Sequence, residues 1–457
     1  MMHQELWHKI VSFELDDPSA NYGFSTRLAN ENFWTSAFTE QAILEYKKFM
    51  YLAATVNTMV SPSEVVDKVW HLHLLFTESY QEFCHLLGKY IHHIPSTRSK
   101  KEFEQFSRAK EQTKELYEEI FGKQPANIWY YADMFDSLNL PKATISVPIF
   151  LLLGIVITAC LATPAYFLLL PIYSNINNPD FVNGLAAVYF FVLILLEWYN
   201  TTKLQQILTQ FAPTSFVYTL QPFELVYLTS TQLSKVIAGT INELIDNGGI
   251  KIKPNNSLEL TLLNKASNKE HWQVVHSMKK TGTILYVDLV KKLESSPIFA
   301  NIANSMEQLN KYMVNSRVFG RLFYTNFAIL ALLLLLSSTR IAIGIVRQKP
   351  VAIITFATII GLIISIFFLY RLTTQLSRVI IPNYYKNQLT DLQITNNWRW
   401  KYFLMGTASL LPTLIPLLSF RYDNHKRENN GGSCGTFIDS SGGSCGSSCS
   451  SCGGCGT

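Results

Sequence analysis

Residues 145–170 read ISVPIFLLLGIVITACLATPAYFLLL, 26 consecutive positions without a charged side chain. At 1.5 Å per residue such a helix outruns the roughly 30 Å hydrocarbon core of a bilayer. Pro148 and Pro164 do not argue against a span, because membrane helices tolerate proline. This stretch decides the fold class: a mainly α-helical chain built around a membrane region. Three further apolar runs repeat the pattern, at 181–199 (FVNGLAAVYFFVLILLEWY), 322–339 (LFYTNFAILALLLLLSST) and 351–370 (VAIITFATIIGLIISIFFLY). Trp198 and Tyr199 suit an interfacial belt, and Glu197 lies near enough to the end to reach the headgroups. The run 402–420 (YFLMGTASLLPTLIPLLSF) is long enough to span, but Pro412 and Pro416 in its second half make a re-entrant or surface-lying segment an equal alternative.

Working outward, residues 1–142 form a soluble, mainly helical head and 200–318 a second polar domain. In the head, Phe38–Val60 has apolar residues at helical spacing. Ser61-Pro62-Ser63-Glu64 resembles a helix start with Ser61 as cap. One helix is predicted from there through VVDKVWHLHLLFTESYQEFCHLLG to a stop at Gly88, and another over 100–121 with Gly122 as stop. In the second domain two short helices over 222–249 precede a β-hairpin about Pro254-Asn255-Asn256, a winged-helix-like order.

The chain of 457 residues is 48% hydrophobic and only 16% charged, against about 25% charged in soluble domains. That excludes an ordinary soluble enzyme and extensive disorder. Residues 1–142 carry 14 Lys+Arg against 19 Asp+Glu, a balance of −5, and the remainder 24 against 14, a balance of +10. Over 222–318 the count is 11 cations to 8 anions, too even for the dense basic surface that nucleic-acid recognition needs. The expected partners are the lipid bilayer and proteins that dock on 1–142 and 200–318. The first 20 residues lack the basic and apolar regions of a cleavable signal peptide. Lys142, Lys203, Arg317, Arg321, Arg371, Arg378 and Lys386 flank the apolar runs on one side. The positive-inside rule then places head, second domain and tail in the cytoplasm of a multipass inner-membrane protein, although Arg340, Arg347 and Lys349 argue the other way.

No Rossmann glycine pattern, P-loop, HExxH or GxSxG appears. The chemistry-bearing residues cluster in the head: Asp67, Trp70, His71, His73, Tyr80, His92 and His93. On a helix Asp67 and His71 (i,i+4) share a face, whereas His71 and His73 (i,i+2) point about 200° apart and cannot readily grip one metal. A metal would use one of them with His92 or His93, and Asp67 as a ligand or orienter. The competing reading is structural: Asp67 and His71 as a buried salt-linked pair, with Trp70, Phe76, Tyr80 and Phe83 as core. The tail, 429–457, is Gly/Ser-rich and otherwise disordered. It places Cys445, Cys449, Cys452 and Cys455 at CxxxCxxCxxC spacing, thiolates that suit zinc, copper(I) or an iron–sulfur cluster.

FSTRLANENFW, ILEYKKFMYLAA, SPSEVVDKVWHLHLLFTESYQEFC and IHHIPSTRSKKE resemble the N-terminal domain of the glycine-rich domain-containing proteins, over about 10–131. That resemblance implies a helical domain of unknown activity, with the seven head residues as its site. Residues 181–457 resemble a family of bacterial membrane proteins through PFELVYL at 222–228, the Arg340–Pro350 loop and the Gly/Cys-rich tail, which here has more Ser and fewer Gly. Neither resemblance supplies a reaction. The leading expectation is a non-enzymatic scaffold or sensor, followed by a membrane-bound metalloenzyme using the Asp67/His71/His73/His92/His93 cluster. A transporter comes last, because the spans carry almost no mid-membrane charge.

Overall fold

A computed structural model describes residues 3–17, 20–94, 100–262, 265–390 and 397–418. The tail, with Cys445, Cys449, Cys452 and Cys455, lies outside the described residues.

The head contains α1 (Gln4–Ser12), α2 (Phe24–Asn32), α3 (Ser36–Thr55), α4 (Glu64–Leu75), α5 (Thr77–Leu87), α6 (Lys100–Phe121) and the short α7 (Ala126–Trp129). The cap of α4 is Ser63 rather than Ser61, its hydroxyl accepting from the Val66 amide at 3.2 Å. The single helix expected after it is two. At Phe76 the backbone leaves the helical region (φ −90°, ψ 67°), ending α4 and starting α5. Gly88, at φ +69°, closes α5 in the left-handed conformation that glycine adopts without steric cost.

The head core is aromatic, with Trp34, Tyr46, Phe49, Tyr51, Phe83 and Tyr117 all essentially inaccessible. Within it Glu45, also buried, accepts from the Tyr117 hydroxyl and the Trp129 indole, both at 2.7 Å, and pairs with Lys48 at 2.7 Å. Those contacts tie α3 to α6 and α7 and satisfy a carboxylate that would otherwise be costly to bury.

Two long helices follow, α8 (Val147–Tyr173) and α9 (Asn178–Thr209). The second domain comprises α10 (Pro222–Ser230), α11 (Leu233–Asp246), β1 (Ile250–Ile252), β2 (Ser257–Leu260), α12 (Lys269–Lys279), β3 (Thr283–Leu285), α13 (Tyr286–Glu294) and α14 (Pro297–Val314). The hairpin pairs Ile250 with Leu260 and Ile252 with Leu258. A third strand, β3, pairs antiparallel on the far side of β2. Then come α15 (Arg317–Val346), α16 (Ala352–Gln375), a π-helical turn at Leu376–Ile380, α17 (Ile381–Gln388) and α18 (Trp398–Met405).

Among the described residues four helices are long and apolar enough to cross a membrane: Val147–Tyr173, Asn178–Thr209, Arg317–Val346 and the continuous Ala352–Gln388. Only 6% of the most apolar window of the first is covered by protein, and 39% of the third. α15 is therefore the central helix, and α8 packs along it. Gly154 makes that approach possible, because a Cβ there would lie 2.4 Å from the Phe327 ring. α9 and α15 are joined by reciprocal amide bonds, Asn200 donating to Asn326 at 2.9 Å and Asn326 to Asn200 at 2.7 Å, both buried. Small residues and paired polar groups of this kind hold helices together where lipid removes the hydrophobic drive.

The described part of 402–420 is not one continuous helix. Its helix ends at Met405, a 3₁₀ turn covers Gly406–Ser409, and Tyr402, Phe403, Leu410, Leu414 and Leu417 are buried in the protein core. Tyr402 donates to the Lys235 carbonyl at 2.8 Å, and the Leu411 amide donates to Asn242 at 2.7 Å, so the segment docks on α11.

Head and second domain share one core. Asn301 donates to the Trp34 carbonyl at 2.9 Å, the Ala212 amide to Ser137 at 3.0 Å, and the Arg317 amide at the start of α15 to Pro141 at 2.7 Å.

Candidate metal site in the head

The site is assembled by the break at Phe76. Because α4 and α5 form a bent pair closed by Gly88, the extended chain 89–94 runs back beside α4. Tyr80 fixes it there. The Trp70 indole donates to the Tyr80 hydroxyl at 3.1 Å, and that hydroxyl donates to the Ile91 carbonyl. Two residues on, His93 reaches α4: its Nε2 lies 2.9 Å from Asp67 Oδ1. His71, one turn beyond Asp67, brings its Nε2 to 3.4 Å from Asp67 Oδ2. The His71 and His93 ring centroids are 4.4 Å apart, and the edge of His93 meets Trp70 at 4.6 Å. One ligand atom from each of Asp67, His71 and His93 falls within 4.8 Å of the others.

The remaining candidates have other places. His73 is fully buried on the opposite side of α4, with Nδ1 2.7 Å from the Tyr46 hydroxyl and Nε2 3.1 Å from Ser79 Oγ. Burial pushes its pKa down to about 4, so it is a neutral core group. His92 is exposed and its ring lies tilted against Tyr90, with centroids 4.8 Å apart. Trp70 and Tyr80 are core residues that support the site from behind. The buried salt-linked pair does not form as expected, since the His71 side chain retains 59% of its accessibility and Asp67 retains 37%.

Asp67 and His93 open onto a cleft of about 600 Å³ between 57–67 and 89–94, with Phe49, Trp70, Ile91 and Phe106 among its walls. Two imidazoles and one carboxylate would supply three ligands to a metal and leave coordination positions free, the ligand count of reactive rather than purely structural centres.

A second cluster escaped the sequence reading. Arg399 on α18 makes a bidentate pair with Glu243 at 2.7 and 2.8 Å, and His271 Nε2 lies 3.0 Å from the same carboxylate. The guanidinium also covers the Phe223 ring at 4.4 Å. All three groups are mutually engaged, so the cluster clamps α18 to α11 and α12. No spacing signal links residues 243, 271 and 399.

Residues 25–121, which contain the whole Asp67/His71/His93 site, match the model of a family described as UCP032817-like. No curated protein and no solved structure matches the chain.

Proposed function

We propose that the chain is a multipass inner-membrane protein whose head, facing the cytoplasm, is a sensor or docking scaffold that binds one divalent transition-metal ion through Asp67, His71 and His93. The observation that carries this reading is the arrival of His93, 26 residues downstream of Asp67, beside two residues already aligned on α4. Metal binding would exchange the Asp67–His93 hydrogen bond for coordination and draw 89–94 onto α4. The shared core of head and second domain offers a route by which that ordering reaches the membrane helices and any docked protein. The resemblance of 10–131 to glycine-rich domain-containing proteins and of 181–457 to a bacterial membrane-protein family is in keeping with a fused, membrane-tethered module. In this reading the Cys445/Cys449/Cys452/Cys455 tail adds a second, thiolate site for zinc, copper(I) or an iron–sulfur cluster.

The full chain purified in detergent should bind about one equivalent of zinc by calorimetry that C445S/C449S/C452S/C455S retains and H71A/H93A loses. Zinc binding unchanged in H71A/H93A on the cysteine-free background would refute the head site. A metalloenzyme is the second reading, favoured by the presence of Asp67 and His93 in the wall of the cleft.

A further inference from the structure

Beyond their Asn200–Asn326 pair, α9 and α15 continue toward the end where α15 meets the head exit at Pro141. About one turn past that pair, Lys203 on α9 and Arg321 on α15 border a groove of about 230 Å³ that also takes in Tyr199, Gln206, Gln210 and Thr325. No acidic side chain lines it. Lys203 donates to Gln206 at 3.1 Å, and among the described residues neither cation makes an ion pair. Directly above, on the membrane side, α9 exposes Ile194, Leu195 and Trp198, the last at 70% accessibility. Two cations flanked by amide and hydroxyl groups match a phosphate oxyanion, and the adjoining apolar surface matches acyl chains.

We propose that this groove binds the headgroup phosphate of an anionic phospholipid. The proposal rests on the reading that the four apolar helices span a bilayer. The shared chemistry is that of any phosphate anion, and the lipid is the favoured source because the groove opens at the level of the Trp198–Tyr199 belt. Bound there, the lipid would bridge α9 and α15 where the head joins the membrane region.

Native mass spectrometry of the detergent-solubilised full chain tests this, with phosphatidylglycerol, phosphatidylcholine and inorganic phosphate added separately. We expect phosphatidylglycerol adducts to exceed phosphatidylcholine adducts. K203A/R321A should weaken phosphatidylglycerol binding by about thirtyfold, with an unchanged thermal midpoint in lipid-free detergent and with K203R/R321K retaining binding. Equal binding of the two lipids, undiminished phosphatidylglycerol binding in K203A/R321A, or inorganic phosphate binding as tightly as phosphatidylglycerol would overturn the proposal. Failure of the spanning helices is read independently, as loss of membrane association of the whole chain.

Discussion

Asp67 illustrates how much one side chain can gather. It stands on the first turns of α4, its two oxygens address two different histidines, and only one of those histidines shares its helix. The other is held by Tyr80, whose hydroxyl links the Trp70 indole to the Ile91 carbonyl. Y80F removes that link without touching a ligand. It should weaken zinc binding by about tenfold while leaving stoichiometry unchanged, as read by calorimetry. Glu224 offers a separate test in the second domain. It is fully buried at the start of α10, accepts from the Gln221 amide at 2.6 Å, and burial pushes its pKa up to about 7 from 4.5. The folded chain therefore holds this proton where the unfolded chain has lost it. The contribution to stability is full below about pH 4.5 and is lost as pH rises through about 7, a change of about 3 kcal/mol. E224Q keeps an acceptor for the Gln221 amide and removes the charge. Its thermal midpoint should match the parent near pH 5 and exceed it at pH 8. The i,i+4 face of Asp67 and His71, and the divergence of His73, were legible in the sequence because helical periodicity dictates them. The choice of His93 over His92 was not, because it depends on the path of a loop that no local pattern encodes.

At the scale of elements, the apolar runs were the most legible feature, since length and absence of charge suffice to mark them. Their packing was not. Nothing in the sequence of α8 says that Gly154 must face Phe327, or that Asn200 and Asn326 exchange amide bonds across two helices. G154L should force α8 away from α15 and lower the detergent thermal midpoint, whereas the same change at Gly184, which has nothing within 4 Å of its Cβ position, should leave it nearly unchanged. The stretch 402–420 shows where hydropathy misleads. Tyr402, Phe403, Leu410, Leu414 and Leu417 read as part of a possible span, yet they are buried in the protein core, and a protein core and a bilayer select the same side chains. The helix break at Phe76 was equally hidden, because the residues on both sides keep helical spacing.

For the whole molecule, head and second domain are separated by two long apolar helices in sequence but joined in space. Asn301 on α14 and the Arg317 amide at the start of α15 both bond to head carbonyls. The head is thus mounted on the root of the central helix, where a local ordering event has a mechanical path to the apolar bundle. Three of the long helices, Val147–Tyr173, Asn178–Thr209 and Ala352–Gln388, expose isoleucine, leucine and phenylalanine along their apolar stretches, far beyond the patches that water-facing surfaces carry. The intact chain should stay in the pellet after an alkaline carbonate wash and enter the supernatant only with detergent. Release by carbonate alone would show that these faces are not in lipid.

The most direct measurement is X-ray absorption at the zinc edge on the full chain carrying C445S/C449S/C452S/C455S. Nitrogen and oxygen neighbours are expected at about 2.0–2.1 Å, with imidazole scattering from two histidines that falls to one in H93A. Imidazole scattering that is absent, or unchanged in both H71A and H93A, would contradict the head site.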